Sequence, residues 1–264
     1  MQHTKNDIAK MAAALGSYVY LMDNVEIWKE QSSAFKKLKE IAGPLLNEEA
    51  LLAQNDRDRN VRLRFEVSRL WNEAVASGNG NLALELSFWI VKGWGGIKNI
   101  KDETIKSHHF AAVNKLFGLP FEHISSSSKV ITLTDPEIYQ IYDARVAVSL
   151  NVIQLAANTE VRIYFEIPDT QITWISGHED CFRARIPKQA FLDDFGFKAI
   201  PKEEIYRYYT MFLSKIGVDA VPQLDPIEVE MALFALAFPF SKNTDSVLTK
   251  ILGAERDRLR TLNI

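Results

Sequence analysis

Residues 125–146, Ser125-Ser-Ser-Ser-Lys129-Val-Ile-Thr-Leu-Thr-Asp-Pro136-Glu-Ile-Tyr-Gln-Ile-Tyr142-Asp143-Ala-Arg145-Val146, set a lysine at the opening of one helix and an aspartate at the opening of the next. Asp143 stands directly before a strongly apolar run, Ala144 to Ala157. An aspartate there is a good N-cap, because its carboxylate accepts hydrogen bonds from the orphan amides of the first turn. The helix dipole favours an anion at that end. Ser125, Ser126, Ser127 and Ser128 follow Ile124 and suit a turn entering a helix, with hydroxyls and amides able to hold a phosphate. A short helix ended near Thr134-Asp-Pro136 separates Lys129 from Asp143, so the spacing predicts a helix-turn-helix unit with both side chains toward one side. Taken singly, each residue has a plainer reading: Asp143 as a cap only, the serines as a capping cluster, Lys129 as a solvated charge.

A chain of 264 residues with 47% hydrophobic content can bury a good core, as one large domain or as two modest lobes sharing a cleft. The single cysteine, Cys181, leaves no disulfide framework, cysteine-based zinc cluster or iron–sulfur cluster, and fits a reducing cytosol. The N-terminus lacks a signal-type apolar run, and no stretch approaches the roughly 20 apolar residues of a membrane helix. The expectation is therefore a soluble, cytoplasmic protein with no membrane association and no obligate protein partner.

The formal net charge of −3 argues against non-specific nucleic-acid binding through a global field, so any such contact needs a local patch. Between Leu86 and Ile131 six lysines (Lys92, Lys98, Lys101, Lys106, Lys115, Lys129) face three acids (Asp102, Glu103, Glu122), with His108, His109 and His123 among them. The sign of the charge reverses there, although a solvated helix face would look the same.

Apolar residues at three- and four-residue spacing predict helices over Val25–Ile41, Asp56–Ala76, Asn81–Gly93 and Asp102–Leu119. The last has Asp102 or Thr104 as caps and a stop at Gly118-Leu-Pro120. Alternation in Val161–Ile167, an interruption at Pro168-Asp-Thr and resumption at Gln171–Ile175 predict a small strand pair, a β-hairpin near 161–175. Helices are expected again at Lys188–Phe195, Lys202–Ile216, Pro226–Phe238 and Thr244–Leu262, with Arg256, Arg258 and Arg260 on a charged face of the last. The chain has no Walker loop, dinucleotide fingerprint or Gly-x-Ser-x-Gly elbow. Neither His108-His109 nor His178-Glu179-Asp180 has a partner at metal-ligand spacing, so no metal or cofactor is expected.

These residues resemble the helix-hairpin-helix DNA glycosylase superfamily, in particular its bacterial branch similar to 8-oxoguanine glycosylases. The segments that carry the resemblance are Ile124-Ser-Ser-Ser-Ser-Lys129-Val, Pro136 and Ile141-Tyr-Asp143-Ala-Arg-Val146. A looser likeness covers Trp71 to Ala157, where Trp89-Ile-Val-Lys-Gly93-Trp94-Gly95-Gly96 looks like a turn of the same branch. Two departures stand out: serines replace the usual Gly-apolar-Gly hairpin, and the stretch from lysine to aspartate is shorter than in the best-known members.

The resemblance implies a mainly α-helical glycosylase fold spanning 1–264 as a single unit. A helical lobe of about 1–100 plus the C-terminal helices and a helix-hairpin-helix lobe of about 101–160 would flank a cleft. It implies double-stranded DNA with a modified base as partner and Asp143 as the group required for base loss, with Lys129 attacking the sugar carbon. Ser125–Ser128 and Arg145 would hold the DNA backbone, and Trp89, Trp94, Tyr142 and Trp174 would line a pocket for the flipped base. Some members of this branch act in anti-phage defence on glucosylated hydroxymethylcytosine. A bulky base of that kind would draw on Glu166, Gln171, Thr173 and His178 for its sugar hydroxyls. The alternatives are an 8-oxoguanine repair glycosylase with AP lyase activity, a non-catalytic helix-hairpin-helix DNA-binding protein and, more weakly, a nuclease.

Overall fold

In a computed structural model, the described residues are 2–17, 31–52, 56–116, 121–177, 179, 181–219 and 223–242. They are mainly helical. In chain order the principal elements are α1 (Lys5–Gly16), α2 (Gln31–Ala42), α3 (Asp56–Ala76), α4 (Gly80–Phe88), a π turn (Trp89–Trp94), α5 (Asp102–Val113) and α6 (Ile124–Ile131). There follow α7 (Ala144–Ala156), β1 (Ile163–Tyr164), α8 (Phe182–Arg185), α9 (Lys188–Asp193), β2 (Lys198–Ala199), α10 (Ile205–Asp219) and α11 (Pro226–Lys242). The expected helix over Thr244–Leu262, with its arginines, lies outside the described residues, as do residues 25–30. Among those described, no helix is long and apolar enough to cross a membrane.

The chain forms two compact units, one of Met1–Leu21 with Asp143–Ile264 and the other of Met22–Tyr142. The lobes expected from the resemblance, with bounds near 100 and 160, cut the chain at other places.

In the Met22–Tyr142 unit, Leu38 of α2, Val67, Leu70 and Trp71 of α3, Leu86 of α4, Ile105 of α5 and Val130 and Ile131 of α6 share one buried cluster. Helix α3 keeps the bounds its periodicity predicts. Its residues Arg64, Ser68 and Asn72 recur every four positions and therefore line one face. They hold the segment after α6: Arg64 Nη2 donates to Thr132 Oγ1 (3.3 Å), Ser68 Oγ to the Leu133 carbonyl (2.8 Å) and Asn72 Nδ2 to the carbonyls of Leu133 (3.0 Å) and Thr134 (3.2 Å). Beyond it, Asp135 Oδ1 accepts from the amides of Glu137 (3.0 Å) and Ile138 (3.3 Å), closing the turn that contains Pro136.

Helix α5 ends at Val113, short of the expected stop, and its N-cap is Lys101, which makes no side-chain cap bond. Asp102, expected as a cap, instead lies in the first turn and pairs with Lys92 at 2.5 Å.

In the other unit, α7 is buried along almost its whole length and packs against α1 and α11. Helix α1, which apolar periodicity had not singled out, opens with a capping box. Thr4 Oγ1 accepts from the Asp7 amide (3.1 Å), and Asp7 Oδ2 accepts from the Thr4 amide (3.2 Å). Asp7 also ties down the chain after α7, accepting from the amides of Glu160 (2.7 Å) and Val161 (3.3 Å). Burial opposes its charged form, but these hydrogen bonds outweigh burial, and its carboxyl is held below the ordinary range.

The expected hairpin at 161–175 is corrected. Ile163–Tyr164 pairs in parallel with Lys198–Ala199, and Ile172–Ile175 forms a turn in which Ile175 N–H reaches the Ile172 carbonyl (3.0 Å). The alternation in 161–167 does mark extended chain, but much of its pairing comes from side chains. The Asn151 carboxamide accepts from Phe165 N–H (2.9 Å) and donates to its carbonyl (2.8 Å). Gln154 does the same for Ile163, at 2.7 and 2.9 Å. Two amides on α7 thus take the place of a neighbouring strand, which is how an otherwise apolar buried helix accommodates them.

Candidate functional site

Asp143 is the N-cap of α7, as its position before the apolar run predicts. Its two oxygens are unequally engaged. Oδ1 accepts from the amides of Arg145 (2.9 Å) and Val146 (3.0 Å), whereas Oδ2 lies 4.0 Å from the Arg145 guanidinium. The side chain retains 12% exposure, so the carboxylate is recessed without being sealed. Arg145 is steadied in turn by the Phe234 ring of α11, 4.8 Å from its guanidinium carbon. The arrangement is an anion with one oxygen fixed by the helix and the other held near a cation.

Lys129 belongs to the Met22–Tyr142 unit, and here the structure corrects the sequence reading. The four serines lie within α6, and Lys129 sits in its last turn rather than at its opening. Serine tolerates this position because its hydroxyl can bond back to a carbonyl three or four residues earlier. Ser126 and Ser127 both donate to the His123 carbonyl, at 2.9 and 3.0 Å. Ser128 Oγ turns the other way, accepting from Tyr142 N–H (3.1 Å) and donating to the Tyr142 carbonyl (3.4 Å). One hydroxyl so clamps both polar groups of the residue that precedes Asp143 in the chain.

These three serines are buried and act inside the fold; only Ser125, half-buried, keeps appreciable surface. Their expected role as phosphate ligands is therefore replaced by one in folding, with Ser125 and Arg145 the expected backbone-binding residues that remain partly exposed.

The Lys129 side chain is 4% exposed. A helical Cβ points toward the N-terminus, so a long side chain runs back along its own helix. Lys129 Nζ accordingly donates to the Ser125 carbonyl at 3.0 Å. Its methylenes lie against Gly95, at the end of the π turn where Gly95 N–H bonds the Ile90 carbonyl (3.0 Å). A π turn inside a helical segment often accompanies function. Trp94 in this turn carries the Arg64 guanidinium 5.9 Å from its ring centroid. Its indole N–H has no acceptor among the described residues.

Of the four expected pocket aromatics, Trp89 and Tyr142 are core residues. Trp89 Nε1 donates to the Ala34 carbonyl of α2 (2.7 Å), and Tyr142 is fully buried. Size and apolarity alone do not separate a core aromatic from a pocket aromatic. Trp94 and Trp174 remain half-buried, one in each unit. Glu166 is engaged by Lys188 (2.5 Å), Gln171 and Thr173 are exposed, and His178 lies outside the described residues.

His108 reaches Ser126 through Nε2 (3.0 Å), and its ring is 6.1 Å from that of His123. Burial, reinforced by the neighbouring His123, pushes its pKa down to about 4. His108 is thus a neutral internal partner of the serine helix. Adjacent His109 instead bonds Ser87 through Nδ1 (3.0 Å). Among the described residues, no group of three or more His, Cys, Asp or Glu side chains is placed to hold a metal.

Sequence reasoning passed over Gly95 as the surface against which the lysine rests. The Gly93-Trp94-Gly95-Gly96 spacing was its visible signal. The structure brings Lys129 to Gly95, Ser128 to Tyr142 and Asp143 to Arg145, while Lys129 and Asp143 belong to different compact units. No family model matches the sequence, and no curated protein or solved structure is significantly similar to it.

Proposed function

We propose that the protein is a DNA N-glycosylase that flips out and excises a modified base, leaving an abasic site, and that its substrate is the glucosylated hydroxymethylcytosine of phage DNA. The observation that carries this reading is the divided carboxylate of Asp143. A cap needs one oxygen, and Oδ1 makes both cap bonds, which leaves Oδ2 without a hydrogen bond among the described residues. Breaking the bond between base and C1′ sends the electron pair to the base and leaves positive charge on the sugar. An anion already fixed by a helix stabilises that charge without reorganising. Water then adds its oxygen to C1′ and gives up a proton, the departing base takes one up, and the products are an abasic site and the free base.

The mainly helical fold agrees with this reading, and Trp174, half-buried in the same unit as Asp143, is the aromatic left there for stacking on an extruded base. A lyase step would need an amine that replaces water at C1′ and forms a Schiff base, and Lys129 is the amine that the resemblance assigns to it. The test is incubation with duplexes containing glucosylated hydroxymethylcytosine, unmodified cytosine or 8-oxoguanine, followed by detection of abasic sites. Abasic sites in the first duplex alone support the proposal, and inertness on all three removes it. Release of 8-oxoguanine with nicking lost in Lys129→Ala would instead favour a repair glycosylase.

A second reading rests on the burial of Lys129, whose amine is held on the Ser125 carbonyl. If that amine and Asp143 serve folding alone, the protein is a non-catalytic DNA-binding module. Duplex binding that Asp143→Asn leaves unchanged, with no base released by either form, would favour it.

A further inference from the structure

We propose that Gly95 is a positioning residue for the Lys129 amine: the missing side chain at the end of the π turn is the seat on which the lysine's methylenes lie, and it directs the amine to the Ser125 carbonyl. An ideal Cβ built on Gly95 would stand 2.6 Å from Lys129 Cε, 2.7 Å from Lys129 Cδ and 2.7 Å from the Ile90 carbonyl oxygen. All three separations are well inside van der Waals contact. The two lysine atoms belong to the far end of a flexible side chain and can move, whereas the carbonyl is fixed by its bond to Gly95 N–H. The smallest possible side chain at this position therefore acts first on the lysine.

Gly95 has no positive φ that would require glycine, in contrast to Gly96 beside it at φ +67°. What excludes a side chain at Gly95 is the space that the lysine and the Ile90 carbonyl occupy. Gly93, in the same turn, gives the contrasting case, since the atoms nearest its Cβ would be those of the Trp89 ring, with Cδ1 at 3.1 Å. Gly93→Ala thus disturbs the turn on its Trp89 side, whereas Gly95→Ala meets the lysine. Only the use of that amine on an abasic sugar rests on the glycosylase reading; the seat itself does not.

The experiment is competitive acetylation of the full-length protein with limiting acetic anhydride over a pH series, quantified at each lysine by mass spectrometry, for wild type, Gly95→Ala and Gly93→Ala. Wild-type Lys129, with its buried amine, is expected to label much more slowly than the exposed Lys98, Lys101 and Lys106. Gly95→Ala should raise its rate at least about fivefold, because a displaced side chain exposes an amine that is otherwise buried on the Ser125 carbonyl. The exposed lysines should not change, and Gly93→Ala should leave Lys129 as in wild type.

Unchanged Lys129 labelling in Gly95→Ala, or an equal rise in Gly93→Ala, would overturn the proposal. Should Gly95→Ala fail to fold, the same substitution is made in Lys129→Ala. Recovery of folded protein there supports the seat, and failure in both backgrounds assigns Gly95 to the Ile90 carbonyl alone and overturns it. Because labelling needs no DNA, a wild-type protein that excises no base would remove the glycosylase reading while leaving this result standing.

Discussion

Asn151→Leu tests whether side-chain amides really substitute for a strand. Asn151 is buried in α7, and its carboxamide accepts from Phe165 N–H at 2.9 Å and donates to the Phe165 carbonyl at 2.8 Å. Leucine branches at the same atom as asparagine and fills the same space, so the substitution removes two hydrogen bonds without opening a cavity. Each buried backbone group left unsatisfied costs about 1–3 kcal/mol. Two such groups predict a loss of about 2–6 kcal/mol, set against a typical domain stability of about 5–15 kcal/mol. Equilibrium urea unfolding of both proteins, followed by circular dichroism, would measure it. A lower midpoint with unchanged slope is expected. A loss under about 1 kcal/mol would mean that the Phe165 groups find other partners at little cost, and would refute the account of this segment.

Other consequences follow from the polar contacts. His108 has a pKa of about 4 in the folded protein against an ordinary value of 6.5. As pH falls through that window the unfolded chain takes up the proton first. Stability should therefore decline by up to about 3 kcal/mol and then level off, and His108→Gln should flatten the decline in urea titrations run against pH. Asp7→Ala should cost about 3 kcal/mol by removing a cap and the charge-assisted bonds to Glu160 and Val161, and should hasten proteolysis near Lys5. Asp143→Ala should lower stability by about 1 kcal/mol through loss of the cap, whereas Asp143→Asn should stay within about 0.5 kcal/mol, because asparagine caps nearly as well. Thermal unfolding of the two variants side by side would separate the cap from the charge.

Periodicity read the long helices well because α3 and α11 owe their form to apolar faces that recur along the chain itself. It failed where partners come from distant residues. The alternation at 161–167 looked like half of a hairpin, yet its hydrogen bonds go to Asn151, Gln154 and the strand Lys198–Ala199. The serines looked like a turn because serine favours caps, and tertiary burial placed them inside α6 with their hydroxyls bonded backward. Helix α1 was readable from Thr4 and Asp7 as a capping box, but its residues carry only a modest apolar stripe. Asp143 was legible because a cap and an apolar run adjoin it in sequence. Gly95 was not, because its partner Lys129 lies 34 residues further along the chain.

If the Asp143 carboxylate, with one oxygen spent on the helix, stabilises a sugar cation with the other, base loss depends on the charge of that group. Abasic-site formation in a duplex carrying glucosylated hydroxymethylcytosine, by wild type and by Asp143→Asn at matched folding stability, tests it most directly. Abasic sites are expected with wild type and a loss of at least about 100-fold with the variant, the scale of removing a preorganised electrostatic partner. Equal turnover by the two proteins would contradict it, as would a wild-type protein inert on every modified base offered.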